Sequence, residues 1–270
     1  RYRGGFRPDQ LEFIANDLRY VDKNKLIVLS FHIPLLITDY EEFLLADRQQ
    51  LFNLLRDFPN VLIMSAHTHI QRQNFYGPEE GWQGSRPLHE FNSGTSCGDW
   101  HKGELNEKGI PEAMMKDGTP KGYSFLRVDG NSYTIDFKAA GKPAGYQMSI
   151  YHPRIIASNR GNQGQIVVNF FRGTRNDRVE YRIDEGKWTA MNWFEATDPT
   201  YMELVSRWDL SETLLPGKRP SNPTICDHLW RANMPPVPNS GTHTLEVRAT
   251  DMFGRTFHQK SEFRVANPGK

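Results

Sequence analysis

Leu62-Ile63-Met64-Ser65-Ala66-His67-Thr68-His69 sets a short apolar run directly before two histidines two residues apart. The run reads as a buried strand, so a strand ends in an imidazole pair. The same pattern stands upstream, where Leu26-Ile27-Val28-Leu29-Ser30-Phe31 runs into His32, followed by Ile33-Pro34. Between the two lies a helical pattern: Thr38 with Glu41 three residues on reads as a capping box, Leu44, Leu51, Leu54, Leu55 and Phe58 follow, and Pro59 stops it. Strand, helix, strand predicts a βαβ unit with parallel strands, both histidine ends on one edge. Ligands gather at the carboxyl ends of such strands, and neutral imidazole is a common ligand for Zn, Fe, Ni and Mn.

Ser30-Phe31-His32-Ile33-Pro34 followed by Ser65-Ala66-His67-Thr68-His69 resembles the last two motifs of calcineurin-like metallophosphoesterases, a strand-terminal His-x-Pro and a Gly-His-x-His. Gln10-Leu11-Glu12-Phe13-Ile14 is similar to the helix that precedes the His-x-Pro strand in that family. Ser96-Cys97-Gly98-Asp99-Trp100-His101, Gly109-Ile110-Pro111 and Asp117-Gly118-Thr119-Pro120-Lys121-Gly122-Tyr123 resemble a bacterial subgroup with a characteristic C-terminal domain. The sequence departs from the family at Ala66, where Gly is usual. The upstream motifs that supply the bridging aspartate, the asparagine ligand and the histidine general acid do not occur before His32.

The resemblance implies two-metal phosphoester hydrolysis, in which two divalent ions such as Mn, Fe or Zn supply a bridging nucleophile and neutralise the phosphoryl oxygens. By motif position His32 and His67 would serve one ion and His69 the other. The long segment 94–121 reads either as a surface loop that packs Trp100 as an anchor or as the rim of the metal cleft, with Asp99, Trp100 and His101 as contacts to the phosphoester substrate. The general acid would come from upstream sequence, so the chain reads as the C-terminal part of a longer protein. Three imidazoles without carboxylates would hold a pair of divalent cations poorly, and this chain alone is expected to be inactive. It is expected to pair with the missing N-terminal half or with a second copy. Relatives of the subgroup are often exported, which leans towards an extracytoplasmic location.

The fold expected is therefore α/β (α+β), a partial metallophosphoesterase sandwich over 1–143, followed by an all-β immunoglobulin-like sandwich over 144–270. In the first part Pro8 opens a helix whose apolar stripe is Leu11, Ile14, Leu18 and Val21. Short β-like runs follow at 88–91, 123–128 and 133–137, the last two forming a hairpin across Asp129-Gly130-Asn131. After Gly141-Lys142-Pro143 come sandwich-like strands at 166–171, 179–183, 244–249 and 256–265, with a helical insertion at 198–210.

With 33 Lys+Arg against 32 Asp+Glu, the chain has no field to favour nucleic acid or an anionic membrane surface. No apolar run approaches the roughly 18 residues of a membrane span. Two cysteines, Cys97 and Cys226, make no disulfide framework, although a single bridge stays open.

The other histidines, His89, His101, His152, His228, His243 and His258, have the bland reading of hydrogen-bonded structural residues. Of these, only His101 leans towards function. Trp188, Trp193, Trp208 and Trp230 read as core or interface aromatics. The rival function is a glycan- or partner-binding β-sandwich module carried on a non-catalytic scaffold.

Overall fold

A computed structural model describes residues 3–36, 42–161 and 163–267. The chain is built mostly of strands in several sheets, with three α-helices of 11 residues each among the described residues. It divides into two compact units: residues 1–95 with 124–136, and residues 96–123 with 137–270.

In the first unit four strands form one sheet in the order Ile27–Ser30, Val61–Ser65, Leu88–Asn92, Arg72–Tyr76. The first three run parallel and the last is antiparallel to its neighbour. The connection between the first two strands carries the helix Leu45–Leu55, as the apolar spacing predicts, and Leu51, Phe52 and Leu55 bury its inner face. The cap read at Thr38 and Glu41 lies outside the described residues.

The helix Pro8–Leu18 begins with Pro at its first turn and the Gln10 side chain accepting the Arg7 N–H (2.9 Å). Leu11 and Leu18 are buried beneath it. It stops one turn before Val21, whose N–H donates to Leu18. Leu11, Leu18, Leu35, Phe52, Leu55, Ile63 and Leu88 belong to one apolar core. The strands Gly122–Asp129 and Ser132–Ala139 pair across Gly130, which takes φ 61° as the turn demands.

In the second unit two sheets enclose a single core, giving a β-sandwich. One has the order Met148–Tyr151, Gln165–Phe170, Ile225–Asn233, Asn192–Thr197; the other has Ile155–Ala157, Thr256–Ala266, Gly241–Thr250, Arg178–Ile183, Thr189–Ala190. Ile166, Val168, Phe170 and Trp230 from the first sheet meet Val179, Leu245, Val247, Phe263 and Val265 from the second. The insertion at 198–210 is the helix Pro199–Asp209, capped by the Asp198 carboxylate on the Tyr201 N–H (2.8 Å).

Residues 96–123 are tied into this second unit. Gly103–Glu104 pairs with Gly217–Lys218, and the Thr224 N–H donates to Lys116 (3.1 Å). Neither Cys97 nor Cys226 is in a disulfide. Among the described residues no helix is long and apolar enough to cross a membrane.

Candidate metal centre

The parallel ladder carries both histidine turns in step. Ser30 lies opposite Met64, and two further backbone bonds extend the pairing: Phe31 N–H to Met64 (3.1 Å) and Ala66 N–H to His32 (2.9 Å). The chain then leaves the sheet on both sides at its carboxyl edge. There His32 Nε2 and His67 Nδ1 stand 2.9 Å apart, with the rings edge to face and their centroids 4.8 Å apart. Two ligand nitrogens on one tetrahedral ion at 2.0–2.1 Å are roughly 3.3 Å apart, so this pair is within about half an ångström of the spacing needed to share a cation.

His67 and His69 both adopt left-handed backbone, φ 69° and 56°. A non-glycine residue in that region is strained by about 1–2 kcal/mol. Ala66 has no such strain, so the alanine that replaces the usual glycine is accommodated and the sharp reversal falls on the histidines themselves. Among the described residues no three His, Cys, Asp or Glu side chains come together as a metal-binding group, so His69 does not join His32 and His67 in a three-ligand cluster. The donor set therefore fits part of a metal site.

The neighbouring strand Leu88–Asn92, buried along its whole length, supplies contacts that the sequence reading did not single out. Asn92 donates through Nδ2 to the Ala66 carbonyl (2.6 Å) and to Ser65 Oγ (3.1 Å), and its Oδ1 accepts from the Thr68 hydroxyl. Glu90, fully buried, accepts the Leu35 N–H (3.0 Å), Asn74 Nδ2 (3.1 Å) and the Tyr76 hydroxyl. Burial and the Glu90 carboxylate push the Tyr76 pKa far up, so its hydroxyl stays a donor. Three polar residues, His89, Glu90 and Asn92, in a short run that also carries Leu88 and Phe91 were the available signal.

The three residues read as substrate contacts, Asp99, Trp100 and His101, separate by exposure. Asp99 is fully buried, and its Oδ2 accepts the Ser221 N–H (2.5 Å). Trp100 and His101 face solvent on left-handed backbone, φ 54° and 52°, with Trp100 64 % exposed. Of the other tryptophans, Trp230 is core, Trp193 donates to the Asp227 carbonyl, and Trp188 has the guanidinium groups of Arg182 and Arg248 on its ring at 4.7 and 4.3 Å.

A search of curated proteins finds no match. Among solved structures the chain is similar to CopC from Methylosinus trichosporium OB3b (12% identity, 55% of this chain and 98% of that one, TM-score 0.24). It is also similar to the soluble domain of PmoD from Methylocystis sp. ATCC 49242 (Rockwell), at 17% identity over 44% of this chain and 89% of that one, TM-score 0.22. These scores are too low to bear on the fold. The family model for the C terminal of calcineurin-like phosphoesterase matches residues 90–257, which takes in the end of the strand Leu88–Asn92, the 96–123 segment and most of the sandwich. The chain belongs to that family.

Proposed function

We propose that the protein is a metal-dependent phosphoester hydrolase, and that these 270 residues contribute the imidazole part of its dinuclear centre. The observation that carries this reading is the 2.9 Å approach of His32 Nε2 and His67 Nδ1 at the carboxyl ends of adjacent parallel strands. On this reading the first unit is part of a metallophosphoesterase sandwich and the second an immunoglobulin-like domain.

His32 and His67 would hold one ion and His69 the second, while the carboxylate and asparagine ligands and the leaving-group acid would come from outside these residues. When bound, the ions supply a hydroxide nucleophile and neutralise the phosphoryl oxygens. The chain's own part is to fix ring orientation: the ladder sets the height of the two turns, and the left-handed backbone at His67 turns its Nδ1 towards His32. On the family resemblance alone, Asp99, Trp100 and His101 would be substrate contacts; within their own unit the Asp99 carboxylate accepts the Ser221 N–H. On the resemblance alone, the protein acts outside the cytoplasm.

The test compares this chain with a protein extended to include the missing ligands, on an activated aryl phosphodiester with Mn or Zn. The isolated chain is expected to turn over no faster than metal in buffer. The extended protein is expected to be active and to lose at least about 100-fold of that activity on His67→Ala. Turnover by the isolated chain that survives His67→Ala would sink the reading.

A further inference from the structure

We infer that Glu90 and Asn92 are positioning residues: from one strand they hold the His32 and His67 turns so that the two imidazoles face each other. The purpose assigned to them rests on the proposed function, but the geometry is independent of it. The two side chains are spaced two apart, and so leave the same face of the strand Leu88–Asn92. Each reaches one histidine turn. Glu90 accepts the Leu35 N–H, three residues beyond His32. Asn92 reaches residues 65, 66 and 68, on both sides of His67.

Every polar side-chain atom of both braces is engaged. Asn92 spends both amide hydrogens on Ser65 and Ala66 and its carbonyl oxygen on Thr68, at 1 % exposure. The Glu90 oxygens face three donors, Leu35 N–H, Asn74 and Tyr76, at 0 % exposure. Left-handed backbone at His67 and His69 is unfavourable on its own and persists only when its surroundings over-determine it. The Asn92 bonds are that over-determination, since without them the turn would relax and His67 Nδ1 would swing away from His32.

Substitutions at such supporting groups typically weaken metal affinity by about 10–100-fold. Asn92→Asp keeps the shape of the side chain but replaces its two donors with an acceptor facing the Ala66 carbonyl. Glu90→Gln sets an amide N–H2 against a ring of donors. Thr68→Val removes a single hydroxyl from the clamp without changing the bulk of the side chain.

Imidazole nitrogen NMR on the chain, at a pH where the rings are neutral, reads the proton shared between His67 Nδ1 and His32 Nε2 directly; Zn titration is run alongside. The native chain is expected to show the shared proton. Asn92→Asp, Glu90→Gln and Thr68→Val are expected to lose or weaken it while the far-ultraviolet spectrum is unchanged, with Zn affinity falling about 10–100-fold for the first two. Thr68→Val decides the matter if a buried substitution unfolds the unit. Persistence of the signal in folded variants, or its absence from the native chain, overturns the inference. Loss of the signal in the variants while the native chain itself binds Zn too weakly to titrate supports the positioning role, and the metal reading is then tested by the extended protein.

Discussion

His89 lies between Phe75 and Tyr133, with the Tyr133 hydroxyl on Nδ1 (2.6 Å) and Gln73 Oε1 on Nε2 (2.7 Å), and burial lowers its pKa to about 4. The unfolded ring, near 6.5, takes up a proton first, so its contribution to stability is present above about 6.5 and lost as pH falls through 4. The span is on the order of 3 kcal/mol. His228 has the opposite sign. Asn169 donates to the Asp117 carbonyl and to Asp198, leaving its Oδ1 to accept from His228 Nδ1 (2.8 Å), while Nε2 faces Asp117 Oδ2 (3.3 Å). That arrangement asks for both ring hydrogens. Burial opposes the charged ring but is outweighed by the Cys226 sulfur and the Asp117 carboxylate, and the His228 pKa rises. Because burial pushes the Cys226 thiol up to about 11, the carboxylate is the charge that holds the imidazolium. Its stabilisation is complete below about 6.5 and disappears as pH rises through the folded value. Denaturant unfolding across pH is expected to show His89→Gln removing stability lost on the acid side. His228→Gln is expected to lower stability by about 3–5 kcal/mol, with a larger gap from the native chain at acid than at alkaline pH. A gap that widens with alkali would refute the imidazolium.

The segment 96–123 folds on glycines placed where no other residue fits well. Gly98 has φ 57°, and a Cβ there would stand 2.7 Å from the Ala113 backbone; Gly109 has φ 71° with open space around it. Gly98→Ala is expected to destabilise by about 2 kcal/mol or more and Gly109→Ala by about 1 kcal/mol, the difference in thermal unfolding isolating the close approach. Equal effects would mean the segment is looser than the contact implies. Such tertiary demands also set what could be read in advance. The parallel strands, the helix between them, the hairpin and the helix Pro199–Asp209 were legible because apolar period and turn residues agree locally. Ile225–Asn233 was not, because Cys226 and His228 serve a buried polar network and the half-buried Asp227 between them also interrupts the apolar pattern. At the site, the facing of His32 and His67 followed from strand spacing. The supporting roles of Glu90 and Asn92 depend on which strand lies next in the sheet, and spacing along the chain does not carry that.

Across the whole molecule the chain passes from the first unit to the second after residue 95, returns for 124–136, and leaves again for good. The sandwich's buried network needs Asp117 from the intervening stretch, which bonds Asn169 and His228. A piece spanning 144–270 is therefore expected to bind a hydrophobic dye and unfold without a sharp transition, while one spanning 96–267 unfolds cooperatively. A sharp transition in the shorter piece would show that the network is dispensable. The weave also bears on how such a protein is inherited. No single break in the gene separates one unit whole from the other, so recombination that trades the sandwich for another module must carry the 96–123 stretch with it or leave both halves torn; the two are expected to descend together as a linked pair, unlike domains strung on a linker.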